Sequence, residues 1–331
     1  MPSPEHLLLV KLSSLGDVIH NLPVATDIRR AFPDANLDWA TEAPYAALVA
    51  LHPAVRDVLP IHLRALKSRW YDPAAWRQLF DDKQHLASRV YDLVIDTQGL
   101  TKSAILASWA NGPIAGFDRD NIREPFASRW YQHRYAISQK RHAVERNRAL
   151  AAAALGYDLS DACDYGLPTG WPAPPALSVR PYVVCLHATS RADKYWSADA
   201  WVALGKQLND MGQHVVFPSG NAKEFAQSRH LAKQLAAATA MSGKSFADAA
   251  AMLFHATAVV GVDTGLAHLS VALRRPTIGL YISTEPALTG LHSGGGPVVN
   301  LGGGSREKPA SIPVAEVMQR VDAFIRGGVT I

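Results

Sequence analysis

Three short stretches of this chain combine residue types that could do chemistry together. The first is Lys11-Leu12-Ser13-Ser14-Leu15-Gly16-Asp17, which follows the apolar run Leu7-Leu8-Leu9-Val10. A carboxylate at Asp17 has two readings: it can cap a helix by accepting bonds from free backbone amides, or it can take a proton from a hydroxyl nucleophile. The second stretch is His187-Ala188-Thr189-Ser190-Arg191-Ala192-Asp193-Lys194-Tyr195-Trp196, directly after the apolar Tyr182–Leu186. Thr189, Ser190 and Lys194 supply two hydroxyls and a cation, the groups a diphosphate needs; a polar surface loop is the plainer reading. The third is Val262-Asp263-Thr264-Gly265-Leu266-Ala267-His268. Here an apolar strand runs into Asp263, and the amides of Thr264, Gly265 and Leu266 open a helix whose positive end can hold a phosphate oxygen. His268 falls in that helix's first turn, where a core histidine is the competing reading. Glu224 follows the strand His214–Phe217 and the turn Pro218-Ser219-Gly220. Carboxylates in that place hold ribose hydroxyls in dinucleotide-binding folds, against the alternative of a plain surface glutamate.

Positioning such residues requires alternating strands and helices. Strands at Leu7–Val10, Leu37–Ala40 and Leu93–Ile95 alternate with helices at about 17–30, Tyr45–Ala50, Pro73–Leu86 and Thr101–Ala110. Continuously apolar strands of this kind are buried on both faces of a parallel sheet, and the alternation predicts a doubly wound α/β fold. Around 166–181 the chain turns Pro- and Gly-rich and reads as a linker. A second series follows: strands Tyr182–Leu186, His214–Phe217, Ala258–Val262 and Thr277–Leu280, with helices Ala198–Asp210, Lys223–Ala236, Phe246–Phe254 and Leu266–Leu273. Gly294–Gly296 and Gly302–Gly304 mark a flexible late loop before a last helix at about Val314–Ile325. The expected organisation is a Rossmann-like domain at 1–165, a linker at 166–181 and a second Rossmann-like domain at 182–312. A terminal segment at 313–331 is free to pack back on the first domain. Two such halves form a cleft, and the carboxyl ends of parallel strands are where these sheets bind ligands.

Composition narrows the choice. The chain has 331 residues, of which 48% are hydrophobic and 19% charged, enough for two well-buried domains. Residues 61–150 hold 15 Lys+Arg against 9 Asp+Glu, a balance of +6 within a total of +4. That concentration points to an anionic partner of the first half, and a merely solubilising surface is the other reading. Two cysteines, Cys163 and Cys185, give neither a zinc spacing nor a disulfide framework. No secretory leader and no run of ~20 apolar residues is present, so a cytoplasmic location with peripheral membrane contact is expected. The turn after the first strand is not GxGxxG and no GxxxxGK[ST] occurs, which disfavours a nicotinamide enzyme or a P-loop ATPase.

Taken in order, Lys11–His20, Ile95-Asp96-Thr97-Gln98-Gly99-Leu100-Thr101-Lys102-Ser103-Ala104, Arg123-Glu124-Pro125, His187–Trp196 and Val262–Leu269 resemble glycosyltransferase family 9, the heptosyltransferases, over nearly the whole chain. The resemblance implies a GT-B fold, two Rossmann-like domains facing each other across a cleft. It further implies inverting transfer of L-glycero-D-manno-heptose from its ADP derivative to Kdo of Kdo2-lipid A, in lipopolysaccharide inner-core synthesis at the cytoplasmic face of the inner membrane. By the same resemblance Asp17 is the general base. Thr189, Ser190 and Lys194 hold the diphosphate, Glu224 the ribose and Asp263 the heptose, with Thr264, Gly265, Leu266 and His268 completing the donor site. Ser13, Gly16, Lys67, Lys102 and Arg123 face the anionic acceptor. No metal, cofactor or nucleic acid is implied, since cations and a helix dipole can neutralise the leaving diphosphate. The continuation His20-Asn21-Leu22-Pro23 favours the member that uses a Kdo acceptor. Alternatives are a member with another acceptor, a sugar-nucleotide epimerase of the same fold, and a non-catalytic nucleotide-binding protein. One departure stands out: Tyr281-Ile282-Ser283-Thr284-Glu285-Pro286 replaces the family's common Tyr-Gly-Pro-Thr-Asp-Pro.

Overall fold

Leu7, Leu8, Leu9 and Val10 are fully buried, as a strand covered on both faces must be. They form β1 (His6–Val10), the centre of the first sheet. The computed structural model describes residues 3–177, 181–189, 191–243 and 245–327. The chain divides into two units, Met1–Leu167 and Pro168–Ile331.

In the first unit β1 is followed by α1 (Leu15–Ile19), α2 (Leu22–Ala31), β2 (Asn36–Glu42), α3 (Ala46–Val49), β3 (Val55–Ile61), α4 (Leu63–Ser68) and α5 (Pro73–Ala87). Then come β4 (Leu93–Asp96), α6 (Thr101–Ala107), β5 (Ile114–Phe117), β6 (His133–Tyr135) and α7 (Ala143–Leu155). The single helix expected at 17–30 is two, because Pro23 cannot donate to a helical ladder and sits instead in the first turn of α2. Helix α7 ends at Gly156, whose φ of 73° gives the left-handed cap. It is tied to α2 by Arg148, whose Nε donates to Asp27 Oδ2 at 2.7 Å and whose Nη2 donates to the carbonyls of Ser160 and Ala162.

The second unit runs β7 (Tyr182–Leu186), α8 (Ala198–Asp210), β8 (His214–Ser219), α9 (Ala222–Ala232), β9 (Ala238–Ser242), α10 (Phe246–Phe254) and β10 (Ala258–Val262). It continues with α11 (Gly265–Ala272), β11 (Thr277–Tyr281), α12 (Pro286–Thr289), β12 (Val298–Gly302) and α13 (Val314–Arg326). Side-chain caps fix the helix starts: Ser197 accepts from Ala200 N, Asn221 from Glu224 N and Ser245 from Asp248 N. The region read as a flexible glycine loop contains β12, paired in parallel with β11 from Thr277↔Val298 to Tyr281↔Gly302. Helix α13 is built into the core of this unit. Its Val317 and Val321 are fully buried in a core with Leu204, Val260 and Leu280. The linker's first residues also belong to a core: at Gly166 a Cβ would meet His52 and Thr26, and Leu167 is buried.

Both sheets are parallel, and their orders are β3-β2-β1-β4-β5-β6 and β12-β11-β10-β7-β8-β9. Read from its own first strand, each unit therefore has the same order, 3-2-1-4-5-6. Strand order reverses between β1 and β4 in one sheet and between β7 and β10 in the other. Within each unit the loops leaving its own two strands form a crevice of the kind where such sheets hold ligands.

Candidate active site

In the first unit the crevice residues come from the loop after β1 and the loop after β4. Gln98 joins them: its Oε1 accepts from Leu12 N at 2.9 Å and Ser13 N at 3.2 Å, and its Nε2 donates to Ser13 O at 2.6 Å. Asp17, on α1, accepts from Ser14 N at 2.6 Å and Ser14 Oγ at 2.9 Å. It is thus not the cap residue itself but the reciprocal partner three residues on, and it is half-buried, with its outer face in solvent. Beneath it Lys11 is buried and donates Nζ to Thr97 O at 2.9 Å. Burial brings its pKa down to about 8, against the opposing pull of Asp17 and Asp96. Asp96 is buried at the end of β4 and accepts from Gln98 N, Ser103 Oγ and Tyr131 OH. Burial raises its pKa, opposed by those same bonds. The positive φ of Gly99, 66°, lets the chain turn from β4 into α6 against Ile122 and Phe117.

Of the basic residues expected here, Lys102 reaches the crevice, donating Nζ to Ser13 Oγ at 3.3 Å. Gly16 lies beside Asp17 on α1. Arg123 is exposed in the loop after β5 and contributes to the field on Lys11. Lys67 is exposed on α4. Among the described residues neither makes a hydrogen bond or ion pair with Asp17.

In the second unit the loops after β7, β10 and β11 meet. Lys194 Nζ lies 2.5 Å from Asp263 Oδ2, and Thr284 Oγ1 donates to the same oxygen at 3.0 Å. Thr189 Oγ1 donates to Asp263 O at 3.5 Å. Thr264, Gly265 and Leu266 open α11 just behind this pair, and His268 is buried in its first turn. Ser190 lies outside the described residues. Glu224 stands one strand away, in the first turn of α9. Its Oε2 accepts from Gly220 N and its Oε1 from Asn221 Nδ2, both at 2.7 Å. It is linked to the crevice through His187, the residue that follows β7, whose Nε2 is 2.8 Å from Ser228 Oγ on α9. Burial pushes the His187 imidazole down to about 4.

The departure at Ser283 has a structural role beside Thr284, which the family's pattern shares. Ser283 Oγ donates to Asp193 Oδ2 at 2.8 Å while Thr284 holds Asp263, so successive hydroxyls tie the β11 loop to both other loops. Arg191 pairs with Asp193 and holds that carboxyl well below the usual carboxylate range, with help from Ser283. In the sequence Lys11, Gln98, Asp193, Ser283 and Thr284 stand out only as members of longer blocks. Nothing in their local spacing says that each bridges two loops distant in sequence. The chain also contains an Asp-x-Asp spacing, Asp118-Arg119-Asp120. Asp118 Oδ1 there accepts from Asn121 N at 2.9 Å and Asn121 Nδ2 at 2.8 Å, which is the bonding of a turn. Among the described residues no three His, Cys, Asp or Glu side chains gather as a metal site would.

Two doubly wound sheets of one order, each with its polar side chains on the loops at its strand-order reversal, are those of the GT-B fold. Residues 80–304 match glycosyltransferase family 9 (heptosyltransferase). The chain is 43% identical over 291 residues to lipopolysaccharide heptosyltransferase 1 of Pseudomonas aeruginosa, covering 86% of this chain and 81% of the relative. Among solved structures it is similar to the E. coli heptosyltransferase WaaC with ADP, at a TM-score of 0.88 and 35% identity over 96% of this chain and 99% of that one. It is similar as well to WaaC with ADP-2-deoxy-2-fluoro heptose, at 0.85 and 34% over 96% and 99%. The chain belongs to glycosyltransferase family 9, the heptosyltransferases.

Proposed function

We propose that this chain transfers L-glycero-D-manno-heptose from ADP-heptose to a Kdo hydroxyl of Kdo2-lipid A, with inversion at the anomeric carbon, in building the lipopolysaccharide inner core. The observation that carries the donor half is the Lys194–Asp263 pair at the head of α11, in a fold shared with a heptosyltransferase solved with ADP. An ammonium has three donors; one goes to Asp263, and two remain for diphosphate oxygens. Thr189 and the amides of Thr264, Gly265 and Leu266 add neutral donors at the positive end of the helix. Asp263 is the donor-side carboxylate suited to heptose hydroxyls, and Glu224, with His268 nearer the helix, serves the nucleoside side.

Asp17 takes the acceptor hydroxyl proton. The freed oxygen forms the new bond to the anomeric carbon as the carbon–oxygen bond to the β-phosphate breaks, and ADP leaves with that electron pair. Charge on the leaving group is met by Lys194 and the helix amides, so the reading needs no metal. Ser13, Gly16 and Lys102 lie along the acceptor side with Arg123 and Lys67, cations suited to Kdo carboxylates and lipid A phosphates. An acceptor of this kind places the protein at the cytoplasmic face of the inner membrane, in peripheral contact. No helix among the described residues is long and apolar enough to cross a bilayer.

The test is a turnover assay of the purified protein with ADP-heptose and Kdo2-lipid A. The expected result is one ADP released per heptosylated product. Turnover only on an acceptor that already carries heptose would move the assignment to another member of the family. Epimerised sugar without acceptor, or ADP-heptose bound and never consumed, would overturn it.

A further inference from the structure

Large apolar side chains on the outside of a protein are informative when they cluster and ordinary when they are scattered. The first unit has such a cluster on the hairpin of α4 and α5. Trp70 is 70% exposed, Tyr71 71%, Trp76 54% and Phe80 58%. Helix α5 turns Ala75 and Leu86 to the core and leaves Trp76 and Phe80, four residues apart, on one exposed stripe. The cluster is organised: Trp76 Nε1 donates to Trp70 O at 2.8 Å, and the Trp70 and Tyr71 rings meet edge to face at 6.1 Å. None of this is needed for the crevice chemistry, and four exposed aromatic rings hold apolar surface in water that burial would remove.

The charges around the cluster say what covers it. Leu63–Ala87 carries Arg64, Lys67, Arg69, Arg77 and Lys83, all exposed, against Asp72, Asp81 and Asp82. Of those acids Asp82 is buried, bonded to His62 N at 2.8 Å, and Asp72 is half-buried as the cap of α5. The hairpin thus exposes aromatic rings together with an excess of cations, even with Arg69 paired to Asp72 at 3.6 Å. Tyrosine and tryptophan settle at the level of lipid headgroups, where an apolar ring and a polar edge are both satisfied. Lysine and arginine beside them are drawn to anionic headgroups.

We propose that the α4–α5 hairpin is the membrane-docking surface of this protein, with Trp70, Tyr71, Trp76 and Phe80 entering the headgroup layer of an anionic bilayer. The choice of partner rests on the reading that the acceptor is lipid-borne. The surface itself rests on the hairpin, and the two can be tested apart.

The test is flotation of the full chain with vesicles of phosphatidylethanolamine and phosphatidylglycerol, and with phosphatidylcholine vesicles, without donor or acceptor. Wild type floats with the anionic vesicles and much less with the neutral ones. The variant Trp70→Ser/Trp76→Ser/Phe80→Ser loses about tenfold or more of that partitioning, given the apolar area it removes. Its melting temperature and its turnover on a delipidated, water-soluble Kdo acceptor stay those of wild type, which separates docking from folding. Equal flotation of variant and wild type overturns the proposal, and so does failure of wild type to bind anionic vesicles. A concentration-dependent dimer that the variant abolishes, with flotation unchanged, assigns the face to a second copy and also overturns it. Absence of turnover on the soluble acceptor bears on the transferase reading alone.

Discussion

Lys11 and His187 occupy the same place in two sheets of the same order, each being the residue that follows the central strand. Both are basic, both are buried, and burial lowers the pKa of each. The outcomes differ because their neighbours differ. Lys11 is opposed by two carboxylates, Asp17 and Asp96, and settles near 8, still a cation at neutral pH. His187 has Glu224 as its opposing charge and settles near 4, a neutral ring. In the first crevice the cation that follows the central strand is buried, and Lys102 at Ser13 supplies the exposed one. The second keeps its buried base neutral and carries the charge on Lys194, outside the core and paired with Asp263. One topology thus presents a carboxylate at one crevice and a Lys–Asp pair at the other.

The strongest way to break that comparison is at Asp17. If the first crevice works on the acceptor, Asp17→Ala loses roughly 10²–10⁴ in turnover, the range for a general base, while calorimetry shows ADP affinity unchanged. Near-normal turnover would leave Asp17 a helix-capping residue. The complementary change, Lys194→Ala, is expected to weaken ADP binding by roughly 1.5–3 kcal/mol, the size of a charge-assisted bond, or about 10- to 150-fold in Kd. An unchanged Kd would make the 187–196 stretch a surface loop.

The buried bases give a pH test whose sign is fixed. As pH falls through 6.5 the unfolded His187 takes up a proton, and the folded ring does not until about 4. The unfolded state then binds more protons, so stability falls across that window, by roughly 2–3 kcal/mol for this group. His52, also lowered to about 4 by burial, adds to the slope. Lys11 contributes no slope there, because it is protonated in both states below about 8. Thermal melts from pH 7 to 4 are expected to show the decline, and His187→Asn to flatten it; parallel profiles would show that the ring is not held neutral. The smallest effect belongs to Thr284→Val, which removes one bond to Asp263. A single net hydrogen bond of ~0.5–1 kcal/mol predicts a two- to fivefold rise in the KM for ADP-heptose with ADP affinity little changed. No rise would detach the β11 loop from donor binding.

What the sequence determined by itself is the set of elements whose local signals are strong. Apolar runs such as Leu7–Val10 and helical periods such as Ala198–Asp210 carry their signal within a few residues, because burial acts locally. Those signals also marked where the polar loops follow the strands, and with them Asp17, Lys194 and Asp263. Other elements escaped: β3, β5, β9 and α7, and with them β6, three residues long, β12, between glycine runs, and α4, which has no buried residue to set a period. The tertiary structure alone decided the bridges. Gln98 reaches back 86 residues to Leu12, and Thr284 and Lys194 converge on Asp263 from loops 90 residues apart. The sheet order puts those loops side by side, and no local rule of spacing records which strands will be neighbours. The same holds for Lys11 and His187, whose charge states follow from the depth of burial and from carboxylates contributed by other elements.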